Sequence, residues 1–242
     1  MENIIQREGN EMEMDPITVD FPLRGEWEAA HTPAQKVPSH GTDQLGQRYA
    51  YDLIRIEKGH KGLKFFRGSQ LRYFLLGVKL DECLGWSEPI FAPFSGTVCV
   101  AKDGWAERKR LHILSDLAIV LKNALTFDPK RTGDLRPVLG NHIILKMPGK
   151  EIYAFFAHAR CGSIQVREGG EVYSGQKLAE VGHSGNSTAP HLHFHLMDRT
   201  NILEAQGVPC RFREYEVFHN NGWQKVTDGL PGYMEPIRYT TG

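Results

Sequence analysis

Apolar and polar residues alternate in short runs along most of the chain. β-branched and aromatic residues are prominent in them, and Gly, Pro, Asn or Asp closes each run. This period of two predicts β-strands. The runs are RYAYDLIRI at 48–56, GTVCVAK at 96–102, NHIILKM at 141–147, EIYAFFAHA at 151–159, QKLAEVG at 176–182, HLHFHLMD at 191–198 and REYEVFH at 213–219. Pro148, Gly149 and Lys150 separate the third run from the fourth and signal a hairpin. From 163 to 182, SIQVREGGEVYSGQKLAEVG alternates short strands with glycine turns, the rhythm of barrel-like β sandwiches.

Two stretches interrupt this rhythm. Residues 57–90 are mixed and glycine-rich; residues 103–138 hold HILSDLAIVLKNAL, which predicts a short helix, and then the polar loop DPKRTGD. Neither has an evident core of its own, so both read as insertions on a β scaffold. Residues 1–15 are polar and acidic and read as a flexible arm, with the fold beginning near Ile17 and residues 16–242 forming a single domain.

Composition narrows the partners more than the fold. With 40% hydrophobic and 24% charged residues, the 242-residue chain is that of an ordinary folded protein, large enough to hold a core without staples. Lys plus Arg and Asp plus Glu number 29 each, so no net charge draws it to nucleic acid, and no basic stripe with aromatics runs through it. Cys83, Cys99, Cys161 and Cys210 are scattered and form no metal-binding pair or disulfide framework. No run approaches a membrane span. MENIIQREGNEMEMD is not a secretory signal, which makes the cytoplasm the default compartment, or the periplasm or exterior if a leader has been removed.

Candidate chemistry lies in the eleven histidines. On a strand His191, His193 and His195 share one face, with Leu192, Phe194 and Leu196 on the other. Same-face neighbours lie roughly 6.6 Å apart, so two imidazoles can converge on a metal and its water, whereas the outer pair, roughly 13 Å apart, cannot readily share one ion. A catalytic zinc takes three protein ligands and keeps one position for water. Further ligands must come from elsewhere. His40 stands in VPSHGTDQLG, and Asp52 lies inside an apolar strand, where a carboxylate is costly unless paired or metal-bound. Asp43 is the rival carboxylate, in a loop where Asp needs no special reason. His158 ends the apolar run EIYAFFAHA, a place from which a polar side chain often lines a cleft.

These blocks together resemble the lysostaphin-type (LytM-like) zinc metallopeptidases. The resemblance runs through 140–198, is most specific at HLHF, and extends to QRYAYDL at 47–53, FAPFSGTV at 91–98 and PLRGEW at 22–27. It implies a mostly β fold, a duplicated hybrid motif β sandwich with a groove on an antiparallel sheet, carrying the loop and short-helix insertions. It implies one zinc ion held by His40, Asp52 and His193, with His191 and His158 as catalytic histidines. The implied substrate is a peptide bond in peptidoglycan cross-links or stem peptides. The chain departs from the family pattern in two places. His40 and Asp52 are twelve positions apart where four is usual, and His195 stands where an acidic residue is common. Other expectations compatible with the same residues are a zinc hydrolase for a non-cell-wall peptide or amide, a catalytically silent binding or regulatory module, and, least, histidine phosphotransfer.

Overall fold

A computed structural model describes residues 15–56, 64–126 and 133–240. In chain order the strands and helices are β1 (Ile17–Val19), β2 (Gly25–His31), β3 (Tyr51–Ile54), α1 (Gln70–Leu76), β4 (Val78–Lys79), β5 (Pro89–Phe91), β6 (Gly96–Lys102), β7 (Arg110–Leu111) and α2 (Ile113–Thr126). There follow α3 (Arg136–Leu139), β8 (Asn141–Lys146), β9 (Tyr153–Ala159), β10 (Glu171–Val172), β11 (Lys177–Glu180), β12 (His191–Met197), β13 (Gly207–Val208), β14 (Cys210–His219), β15 (Gly222–Gly229) and β16 (Pro236–Tyr239). The N-terminal arm expected over 1–15 falls almost wholly outside the described residues.

The protein is mostly β. A twelve-stranded sheet runs β1-β14-β16-β2-β3-β12-β9-β8-β6-β10, with β13 added to β12 and β15 to β14; β5–β11 and β4–β7 form two-stranded sheets. β1 pairs parallel with β14. At the centre, β12 lies antiparallel between β3 and β9. The hairpin expected between 141 and 159 is β8–β9.

The strict alternation of β12 decides which face is which. Leu192, Phe194 and Leu196 are fully buried in the main core, with Tyr51 and Leu53 of β3, Phe156 of β9 and Leu145 of β8. Leu178 and Ala179 of β11, Ile90 of β5 and Phe212 of β14 belong to the same core. Burying each such side chain contributes roughly 1.5–3 kcal/mol. The opposite face of β12 carries the three histidines. A smaller cluster, with Ile144, Phe155, Ala157, Met197 and Ile202, closes its lower end.

Two expectations change. The strand read over 48–56 shrinks to Tyr51–Ile54, because residues Gln44–Tyr49 coil into a 3-10 turn with Leu45 at φ 60° and Gly46 at φ 69°. Gly46 is pressed against this second cluster: a Cβ there would stand 3.1 Å from Met197 Cβ. The two insertions also have a core after all, one they share. β4 pairs with β7, and Phe66, Tyr73, Val78, Leu80, Cys83 and Leu111 pack together. The helix expected near 112–125 is α2. Among the described residues, no helix is long and apolar enough to cross a membrane.

Candidate metal and catalytic site

Pairing across three strands assembles the site. Asp52 of β3 lies opposite His193 of β12, and Ile54 opposite His191. Paired residues share a face, so Asp52 is directed away from the core that holds Tyr51 and Leu53. Its carboxylate is 15% exposed and collects four imidazoles. Oδ2 lies 2.9 Å from His31 Nδ1 and 3.0 Å from His40 Nε2. Oδ1 lies 2.9 Å from His193 Nδ1 and 3.5 Å from His191 Nε2.

Each histidine arrives by its own local device. His40 sits in a loop tied down by Ser39, whose N–H donates to Arg48 O at 2.9 Å and whose hydroxyl lies 3.0 Å from His40 Nδ1. His31 reaches the site through a bulge: Ala29 opposes Leu53, but His31 opposes Asp52, so β2 carries one extra residue there. His158 depends on a similar irregularity. β9 has an extra residue between the partners of Asn141 and Ile143, and His158 takes φ 62°. Ala157 packs in the smaller cluster and Ala159 in the main core. The left-handed residue between them leaves the His158 ring 4.9 Å from that of His191 and 6.1 Å from that of His193. A left-handed non-glycine residue is strained, and such strain gathers at functional positions.

Hydrogen bonds define the tautomers. His158 Nδ1–H donates to Ser184 O at 2.9 Å, and His191 Nδ1–H donates to Ala189 O at 2.7 Å. Each ring then has Nε2 as the nitrogen available for proton exchange. Burial and charge separate the two rings. Burial, reinforced by the neighbouring His191 and His193, holds the His158 imidazole well below its ordinary pKa. Burial also opposes the His191 imidazolium, but attraction and hydrogen bonding to Asp52 outweigh it and raise its pKa. Asp52 lies well below the usual carboxylate range: burial works against its charge, and the surrounding histidines, His191 foremost, overcome it.

His195 extends the row inward. Its Nδ1 is 3.1 Å from His193 Nε2, its ring lies 4.9 Å from that of Phe155, and it is 1% exposed. Its Nε2 has no hydrogen-bond partner among the described residues. Burial, then the nearby His193 and His40, hold this imidazole well below its ordinary pKa.

This donor set suits a divalent zinc. Imidazole nitrogen and carboxylate oxygen are zinc's usual ligands, and each ligating histidine is expected to have its other nitrogen held by a neighbour. The candidate ligand atoms of His31, His40 and Asp52 lie within 4.8 Å of one another. His193 joins through the other carboxylate oxygen, with its remaining nitrogen on His195, while the remaining nitrogen of His40 meets Ser39.

The five residues singled out from sequence, His40, Asp52, His158, His191 and His193, thus lie in one cluster. Asp43 does not join it: it is 61% exposed and pairs with Arg48 at 2.8 Å. His31 was missed because residues 25–31 were not among the runs read as strands, and strict alternation would in any case give it the core face of Ala29, which only the bulge reverses. Ser39, Ser184 and Ser187, which hold the rings, carry no signal of their own in the sequence.

Residues 130–205 match the sequence pattern of Peptidase family M23. That stretch contains His158, His191 and His193 but not His31, His40 or Asp52. No curated protein matches the chain. Among solved structures, a Pseudomonas aeruginosa protein described as a peptidase M23 is similar at 16% identity and TM-score 0.39, over 80% of this chain and 48% of that one. This chain therefore spans about half of that protein. A mutant catalytic domain of the prophage-encoded M23 protein EnpA from Enterococcus faecalis is similar at 23% identity and TM-score 0.33, over 62% of this chain and 92% of that one. The catalytic domain of the antimicrobial peptidase lysostaphin from Staphylococcus simulans is similar at 23% identity and TM-score 0.33, over 55% and 81%.

Proposed function

We propose, from the match of residues 130–205 to Peptidase family M23, that this chain is a zinc metalloendopeptidase whose substrates are peptides of bacterial peptidoglycan, in cross-links or stems. The observation that carries the reading is the convergence of four imidazoles on the partly buried Asp52, one of which, His191, has its Nδ1–H held by a backbone carbonyl as does the neighbouring His158. His40, Asp52 and His193 would hold one zinc ion. The chemistry such an ion supplies when bound is Lewis acidity toward an amide carbonyl and acidification of a water molecule.

The remaining steps belong to the chain's own side chains. His191 Nε2, 3.5 Å from Asp52 Oδ1, is the nitrogen placed to take the proton of the attacking water and return it to the departing amine. His158, its Nδ1–H held by Ser184 O and its ring kept neutral by burial, presents an unprotonated Nε2, placed to accept a hydrogen bond from the attacking water or from a substrate N–H. The central sheet supplies a rigid base on which an extended peptide lies. Zinc-loaded protein incubated with purified cell wall should release peptide fragments of new mass, chelation should stop the release, and zinc should restore it. Intact cell wall after incubation, with other peptides cleaved, would replace the cell-wall substrate by another peptide or amide.

A second reading rests on His31. Its Nδ1 shares Asp52 Oδ2 with His40, so His31 is placed to act as a fourth protein ligand and close the ion to water. A site of that kind would be structural, in a catalytically silent module. His31 is 47% exposed, at the mouth of the site, which favours the open form. In the open form His31→Ala keeps one zinc per chain and its turnover; in the closed form it loses affinity for zinc.

A further inference from the structure

α2 is packed the wrong way round for an ordinary amphipathic helix. Leu114, Leu117 and Leu121 are 70%, 52% and 61% exposed, while Asp116 is 1% exposed. Asp116 Oδ1 accepts from Arg108 Nε at 2.8 Å and Oδ2 from the His112 N–H at 2.9 Å. A buried ion pair contributes little net stability compared with apolar packing, so its value is better sought in what it orients.

Arg108 spends its other donors on the loop before β12. Nη1 donates to Gly185 O at 3.1 Å, and Nη2 to Ser187 O at 2.6 Å and to His183 Nε2 at 2.7 Å. Guanidinium can only donate, so His183 must accept through Nε2 and carry its proton on Nδ1. That Nδ1–H faces Ser187 Oγ at 3.1 Å, which turns the Ser187 hydroxyl toward Ala189 O at 2.7 Å. Ala189 O also accepts the His191 Nδ1–H, and Ser187 Oγ lies 3.3 Å from the same nitrogen. His183 and Ser187 are 0% and 1% exposed, so water offers neither an alternative partner. Arg108 thus fixes the His183 tautomer and sends the Ser187 hydroxyl hydrogen to Ala189 O, so Ser187 Oγ can only accept from the His191 Nδ1–H, and the competing arrangement in which Ser187 donates to that nitrogen is removed.

We propose that Arg108 and Asp116, contributed by the 103–138 insertion, are positioning residues for His191, fixing its tautomer and ring orientation through His183 and Ser187. The inference rests on the role given to His191 above, but its principal test does not need activity. Nitrogen-15 chemical shifts of the histidine rings should show His191 protonated at Nδ1 in the unmodified protein. In Arg108→Ala that signature should give way to a mixture of tautomers, with zinc content unchanged. Added ethylguanidinium should restore it. If the chain is a peptidase, kcat should fall roughly 10–100-fold while KM stays within twofold, and the same additive should recover kcat. Ser187→Ala, which removes a single hydroxyl, decides the matter should Arg108→Ala fail to fold. A His191 signature unchanged in a folded variant would overturn the inference whatever the protein hydrolyses. A clean tautomer shift in a protein without peptidase activity would keep it and remove the reading above.

Discussion

Asp52 is a carboxylate partly buried among imidazoles, and its removal should act on the metal before it acts on the fold. Asp52→Ala should lower bound zinc, measured by elemental analysis, from one per chain to near zero. His191→Ala should keep the zinc and lower turnover on a peptide substrate by about 10²–10⁴-fold. On the same face of the sheet, Glu28 opposes Ile54, which opposes His191. Burial raises the Glu28 carboxyl to about 7, with no ion pair among the described residues to offset it. Between the ordinary carboxylate range and pH 7 the folded chain binds this proton more readily than the unfolded chain. Stability therefore falls as pH rises through that window, and the full penalty is present above it. Glu28→Gln should be nearly neutral in urea denaturation at pH 4 and stabilising at pH 8. The gain should be on the order of 1 kcal/mol, reduced because the group is only partly buried. Residue by residue, chemistry was legible wherever alternation held: His191 and His193 followed from the period of two, and Asp52 from its cost inside an apolar strand. It was not legible where the backbone departs from that period. The bulge in β2 turns His31 onto the site; His158 was singled out by its place at the end of an apolar run, but not the left-handed conformation that aims it.

The strands were readable because their two faces have different solvents. β12 needs Leu192, Phe194 and Leu196 in the core to keep three histidines in register on the other side. Phe194→Ala, which empties the middle of that face, should lower unfolding free energy by about 3–5 kcal/mol in chemical denaturation. A compensating loss of zinc would accompany it only where the strand itself shifts. The hairpin β8–β9 was equally plain, since a proline-glycine turn joins two apolar runs. The 48–56 run was not: its first half is committed to the turn at Leu45 and Gly46, whose close approach to Met197 no local pattern reveals. α2 was legible as a helix, but its burial is inverted by the pairing of Asp116 with Arg108, a residue eight positions earlier and outside the helix.

Across the whole molecule, the insertions at 57–90 and 103–138 meet through β4 and β7, share one small core, and reach the loop before β12 through Arg108. Sequence placed them outside the β scaffold and left their purpose open, because the contacts that define it join residues 75 or more positions apart. The account depends on one ion joining a loop, β3 and β12. The most direct test is a crystal structure of the zinc-loaded protein, with anomalous scattering recorded on both sides of the zinc edge. The account predicts one zinc peak per chain, in contact with His40, Asp52 and His193. No peak, or a peak bound by other residues with these three unchanged, would contradict it.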